Sequence, residues 1–219
     1  MSFLKYTMLF VALFVTACKS HGQSCCVTAT PISQDRFLEA FSHFDCENQV
    51  LDTTITIAQK NIIISKVKEL LSKEELEWLE DGDLEIPIIG KYSLTGDYLA
   101  IIWWASEQQA YMLNSSFRVS KERIVGSVDA CYSKKGLFAG QSSFDCDDYL
   151  LITFYRREHD GSLKRVAEYS DRNKMLDNFN NNLNPSMFWK DESLYCRCVN
   201  RENPYSNEVC YIILQLGCD

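Results

Sequence analysis

The 219-residue chain holds only three histidines, four prolines and nine glycines, and its 22 Lys and Arg are outnumbered by 30 Asp and Glu. Each shortage excludes something. His21 lies in a small polar stretch, His43 after a short Phe-rich segment and His159 beside Asp160-Gly161. None stands in a local nucleophile motif, so a histidine-activated thiol or hydroxyl has little to be built from. The formal charge of −8, with no basic cluster, argues against a nucleic-acid partner. No apolar run reaches the roughly 20 residues a spanning helix requires, and no internal repeat of useful length occurs. No stretch matches a catalytic or cofactor motif, so no cofactor is expected.

What is present begins at the N-terminus. Lys5 precedes an apolar run, Tyr6 to Val15, and the run ends in Val15-Thr16-Ala17-Cys18. A charged start, an apolar run of roughly ten residues and small residues before a cut make a secretory signal. The cysteine directly after the small pair resembles the lipobox of bacterial lipoproteins. That resemblance implies cleavage before Cys18 and lipidation of Cys18. The chain then divides into a signal peptide (1–17), a lipidated tether (18–31) and a single globular domain (32–219). Loss of residues 1–17 removes Lys5 and no acid, so −8 − 1 gives −9 for the mature chain. The tether is small and polar, and thirteen extended residues would reach about 40 Å from the bilayer. Three acyl chains hold a protein firmly where one holds it only reversibly. Lys19 stands where an inner-membrane retention aspartate would be, and Cys18-Lys-Ser-His-Gly-Gln23 resembles the start of small lipoproteins of the Bacteroidetes. The expected location is therefore the cell envelope, most simply the outer membrane.

Ten cysteines suit such an exported chain. Besides Cys18 there are nine: Cys25, Cys26, Cys46, Cys131, Cys146, Cys196, Cys198, Cys210 and Cys218. Nine is odd, so at least one stays free or pairs with another molecule. Cys131 and Cys146 flank the small-residue segment Gly136–Ser143, and a bond closing it would contribute roughly 3 kcal/mol. Cys196 and Cys198 alternate onto one face of one strand, and Cys210 and Cys218 onto one face of the next. Cys210 is therefore expected to join Cys196 or Cys198, with the other able to reach Cys218. Cys25, Cys26 and Cys46 are left to supply the odd thiol. The spacing of the C-terminal four is not that of a paired-cysteine zinc knuckle. Neither Asp145, Asp147 and Asp148 nor Asp81 and Asp83 follow a calcium loop, so no metal is expected.

Ser33 can cap a short helix carrying Phe37, Leu38, Phe41 and Phe44. Leu51–Ile57 alternates as a strand, and Ile62–Leu71 mixes β-branched residues with helical spacing. Ser72-Lys-Glu-Glu75 is a capping box, and Asp81-Gly82-Asp83 ends the helix it starts. From Leu84 onward turn signals recur, and strands are expected over Glu85–Tyr92, Tyr98–Trp104, Gln109–Phe117, Glu122–Ala130, Tyr149–Arg156, Leu163–Tyr169, Leu194–Val199 and Val209–Leu216. Tyr98–Trp104 and Tyr149–Tyr155 are apolar on both faces and should be central. Connections are too short for crossover helices. The fold class is thus α+β, mainly β: an antiparallel meander sheet with two or three short N-terminal helices packed on it. This order of segments is similar to that of small Bacteroidetes lipoproteins, a resemblance that implies compartment and fold but no activity. The Asn-rich stretch Met175–Lys190 reads as a surface loop.

Trp103 and Trp104 read as core residues, whereas Met187, Phe188 and Trp189, next to the Asn-rich run, read as an exposed contact patch. The expected function is that of a non-catalytic binding lipoprotein that recognises a protein or glycan through loops on a rigid sheet, an immunity-type protein being one concrete form. The alternative is a periplasmic hydrolase assembled from distant residues. A concave pocket in which His159 or His43 meets a Cys, a Ser or a carboxylate would favour the enzyme.

Overall fold

The computed structural model describes residues 25–44, 51–104, 107–120, 123–124, 131–141, 149–177, 186–200 and 208–218. Among the described residues three helices precede most of the sheet structure, and each begins where a side chain caps it. Ser33 Oγ accepts from Arg36 N–H at 3.3 Å and opens α1 (Gln34–Phe41). Thr56 and Gln59 cap each other's backbone N–H and open α2 (Ile57–Lys68). The strand expected over Leu51–Ile57 therefore shrinks to β2 (Leu51–Asp52), because Thr56 is committed to the helix. The mixed run after it resolves as helical, with Ile63, Val67 and Leu71 buried at four-residue spacing. Ser72 and Glu75 form the expected capping box of α3 (Lys73–Asp81). Gly82, at φ +86°, ends that helix in the left-handed conformation while Asp83 N–H bonds Trp78 O at 2.9 Å.

The strands are antiparallel and fall into three sheets. One has the order β2, β3 (Leu84–Tyr92), β4 (Tyr98–Trp104), β5 (Glu107–Leu113). A second runs β6 (Cys131–Tyr132), β7 (Leu137–Gln141), β8 (Leu150–Arg157), β9 (Leu163–Asp171). The third joins the two ends of the chain. In it β1 (Cys25–Ile32) pairs with β13 (Val209–Cys218), β13 with β12 (Ser193–Asn200), and β12 with both β10 (Lys174–Leu176) and β11 (Met187–Lys190).

Side-chain alternation shows how the sheets stack. In β4, Leu99 and Ile101 face a core shared with Tyr132, Phe138 and Tyr155 of the second sheet. Tyr98, Ala100 and Ile102 face Ile63, Val67 and Leu71 of α2 and its end. In β8, Ile152 and Phe154 pack with Val27, Leu194, Cys196, Ile212 and Leu214 of the third sheet. The second sheet is thus the middle layer, which is why β4 and β8 are apolar on both faces and lie inside their sheets. On the outer face of the third sheet, α1 sets Phe37 and Ala40 against Phe188.

Several expectations are corrected. Residues 25–31, assigned to the tether, belong to β1 and pair with Ile212–Cys218 of β13, with Cys25 and Val27 buried. The loop expected over Met175–Lys190 carries β10 and β11 on its two sides, because both find ladder partners on β12. Part of the excursion Gly136–Ser143 is the strand β7, paired with β8. β5 stops at Leu113 because the Asn114 side chain accepts from Ser116 N–H and Arg118 N–H, both at 3.0 Å, and turns the chain. Of the strand expected over Glu122–Ala130 only residues 123–124 are described, with Ile124 bridging Ala110. Trp103 is 40% exposed, not a core residue, whereas Trp104 stacks on Trp78 at 4.4 Å.

Candidate functional site

The candidate site lies among hairpin turns of the stacked sheets. Its base is an ion pair inside the protein. Asp97, which ends the turn before β4 and is wholly buried, accepts from Arg157 Nε at 2.8 Å and Nη2 at 3.0 Å, and from Tyr132 Oη at 2.9 Å. The first sheet is thereby tied to β6 and β8 of the second. The bond to Asp97 holds the Arg157 guanidinium above its ordinary pKa. Burial, reinforced by Asp97, pushes the Tyr132 hydroxyl far up, so it stays a donor.

Arg157 also lines one of two concavities that share Glu158. One, of about 430 Å³, is lined by Lys135, Leu137, Arg156, Arg157, His159 and Glu192 in addition to Glu158. The other, of about 710 Å³, is bounded by Asn114, Arg118, Val119 and Ser120 on one side and by Asp160, Ser162, Leu163 and Lys164 of the β8–β9 hairpin on the other. The walls are cross-linked. Arg157 N–H donates to Gly136 O at 3.0 Å, Asn114 Nδ2 to Asp160 O at 3.3 Å, and Ser133 Oγ to Glu192 Oε2 at 3.1 Å. The turn carrying Glu192 is a two-residue hairpin between Lys190 and Ser193, with Asp191 and Glu192 at φ 48° and 60°. That left-handed pair is normally given to Asn-Gly, so a carboxylate is presented here at some conformational cost. Asp160 accepts from the Ser162 hydroxyl and N–H, which hold its carboxyl below the usual range.

His159 lies in the turn between β8 and β9 and is exposed. Among the described residues its side chain has no hydrogen bond or ion pair. His43 is likewise exposed, after α1, and His21 lies outside the described residues. The arrangement offers cations and carboxylates on a wide polar surface, suited to ion pairs and hydrogen bonds with a polar partner.

The cysteines divide. Cys18, Cys46 and Cys146 lie outside the described residues. Cys131 is buried in β6, and Cys196 and Cys198 are buried in β12. The register places Cys198 opposite Cys210, so the structure favours Cys198 over Cys196 as the neighbour of Cys210; Cys196 stands opposite Ile212. Cys198 and Cys210 are free thiols whose side chains are hydrogen-bonded. Cys25 is disulfide-bonded, and its register partner in β13 is Cys218. Among the described residues no cluster of three or more His, Cys, Asp or Glu is set to hold a metal.

The contact patch expected at Met187, Phe188 and Trp189 is buried instead, at 1%, 0% and 4% exposure. Phe188 is enclosed by Phe37, Phe41, Phe44 and Tyr195 with ring centroids 5.2–5.5 Å apart, and Trp189 Nε1 donates to Cys131 O. Sequence reasoning missed the Asp97–Arg157–Tyr132 pin. Its signal was present: Arg156-Arg157 ends an otherwise apolar strand, and Asp97 stands immediately before the apolar run Tyr98–Trp104. Among protein-family models, curated proteins and solved structures, none matches the chain.

Proposed function

We propose that the chain is a membrane-tethered, non-catalytic binding lipoprotein of the bacterial envelope, lipidated at Cys18 and held most simply at the outer membrane. It takes up a protein or glycan partner between its hairpin turns, in the manner of an immunity-type protein. The observation that carries this reading is the pair of concavities sharing Glu158, walled by turns on rigid antiparallel sheets with short helices packed on them. The exposed, unengaged His159 lining the smaller of them fits a contact surface better than an acid–base centre. Because Cys25 already belongs to β1, no more than residues 18–24 separate lipid from sheet. Seven residues extend at most about 25 Å, so the domain would stand close to the headgroups.

The test is a crosslinked pulldown from native membranes with the anchor intact. The wild type should capture a partner that the triple variant Arg118→Glu, Lys164→Glu, Glu158→Lys loses, while Ile57→Ser, at a distant exposed site, retains it. Equal capture by the groove variant, or time-dependent cleavage of glycans or peptides by the purified chain, would overturn the reading. Cys18→Ser should leave the chain uncut and move it out of the membrane fraction.

A further inference from the structure

We infer that Cys198 and Cys210 form a thiol–disulfide exchange site in which Cys210 is the attacking sulfur and a low-molecular-weight disulfide, of the glutathione disulfide class, is the oxidant. The geometry comes from the β12–β13 ladder. Residues directly opposed in an antiparallel pair have Cα atoms about 4.5–5.5 Å apart, inside the roughly 4.4–6.8 Å a disulfide spans. Cys198 and Cys210 are such a pair. Cys196, two residues along the same face, faces Ile212 and has no thiol across from it.

The two sulfurs differ in access. Cys198 is wholly buried, whereas Cys210 is partly exposed. A reagent can reach Cys210 directly and Cys198 only through it. The electrostatics agree with that division. The hydrogen bond donated by the Cys198 thiol and the nearby Lys174 ammonium bring Cys210 down to about 7, against the opposing effects of burial and Asp171. Cys198 is pushed up by that same bond and by burial. The other titratable groups around the pair are Cys196 on β12, pushed up by burial, and Tyr169 on β9, pushed up by burial and Asp171. Lys174 Nζ is held 2.5 Å from Asp171 Oδ2, so the ammonium is fixed in place. A thiol with a pKa near ambient pH attacks disulfides best, combining thiolate fraction with nucleophilicity.

The reaction balances in two steps. Cys210 thiolate attacks one sulfur of RSSR; the S–S bond breaks, RS⁻ leaves and takes a proton from water, and Cys210–S–S–R forms. The negative charge beside Cys198 is then gone. Cys198 loses its proton to solvent and attacks Cys210 Sγ, the mixed bond breaks, and a second RS⁻ leaves and takes a proton from solvent. Two protein thiols are oxidised to the Cys198–Cys210 disulfide, and RSSR is reduced to two RSH.

The experiment uses the full detergent-extracted chain, mildly reduced and then treated with glutathione disulfide at pH 7.5, with peptide mapping by mass spectrometry. The wild type should lose both thiols and yield a Cys198–Cys210 crosslinked peptide. Cys198→Ser should accumulate one glutathione on Cys210, and Cys210→Ser none on Cys198. The pH profile of Cys210 alkylation should have its midpoint near 7 in the wild type and rise in Cys198→Ala and in Lys174→Gln. Should a variant fail to fold, the wild-type thiol map and alkylation profile decide alone. A native Cys198–Cys210 bond that resists dithiothreitol, a glutathione adduct on Cys196 instead, or no reaction at Cys210 would overturn the inference.

Discussion

Replacing Asp97 by alanine tests the pin beneath the groove. The carboxylate is wholly buried and accepts three hydrogen bonds from Arg157 and Tyr132. Its loss leaves the buried Tyr132 hydroxyl without that acceptor, a cost of about 1–3 kcal/mol. Breaking one side of a buried ion pair costs about 3–5 kcal/mol, but the Arg157 side chain is 30% exposed and regains water, so the lower end applies. The two contributions overlap within one network and do not add, so the expected loss is about 3 kcal/mol for Asp97→Ala. At roughly 2–4 °C per kcal/mol for a chain of this size, Tm should fall by about 6–12 °C. Arg157→Ala should cost as much or more, because it strands a carboxylate with no exposure of its own. In urea unfolding the double variant should be less unstable than the sum of the singles by at least about 1.5 kcal/mol. A loss under about 1 kcal/mol for Asp97→Ala, or additivity within about 0.5 kcal/mol, would refute the reasoning.

Gly161 sits at φ +85°, and a Cβ there would lie 3.0 Å from Asn114 Cβ. Gly161→Ala should therefore cost about 1–2 kcal/mol and, by displacing Asn114, weaken partner capture in the pulldown. Phe188→Ala should cost about 3–5 kcal/mol as a core truncation, against under about 0.5 kcal/mol for a surface residue; urea midpoints separate the two. Thr153 is wholly buried and its hydroxyl oxygen has no hydrogen-bond partner among the described residues. Thr153→Val should be neutral or stabilising by up to about 1 kcal/mol, and a clear loss in a thermal melt would contradict that. Tyr132 and Tyr169 have folded pKa values raised by burial above the free value. At these two hydroxyls the folded state therefore holds protons the unfolded chain releases above about pH 10, so their contribution to stability is level below that pH and falls above it. A urea-midpoint series up to about pH 11 should show a shallower fall in Tyr132→Phe.

What could be read from the residues was local or periodic. The Ser72–Glu75 capping box needs only four residues to state itself, and Tyr98–Trp104 and Tyr149–Tyr155 announced two buried faces by carrying apolar residues on both. What could not be read was which surface each stretch meets. Met187, Phe188 and Trp189 follow an Asn-rich run, and that neighbourhood suggested exposure. Their burial depends on β12 across the ladder and on Phe37, Phe41 and Phe44, far away in sequence. β1 was hidden for a similar reason. Cys25, Val27 and Ala29 do alternate with Cys26, Thr28 and Thr30, but the small polar residues around them resembled a tether, and their partner is the other end of the chain. The groove itself was only partly legible: Asp160-Gly161 marked a hairpin, while its opposing wall at Asn114–Ser120 is brought near by the stacking of two sheets.

That stacking also limits where function can sit. With the second sheet covered by the other two, and the first and third carrying helices on their outer sides, the cores take much of the strand surface. Surface for a partner is then concentrated in the turns, and both concavities lie there. Rigidity follows from the same layout, since Arg157 reaches from β8 to Asp97 in the neighbouring sheet directly below the groove. A partner bound at the rim therefore meets walls fixed to the cores of two sheets, so little conformational entropy is lost on binding. The Asp97 variants should consequently weaken capture by more than the loss of any single rim charge, because they loosen the register of both walls at once.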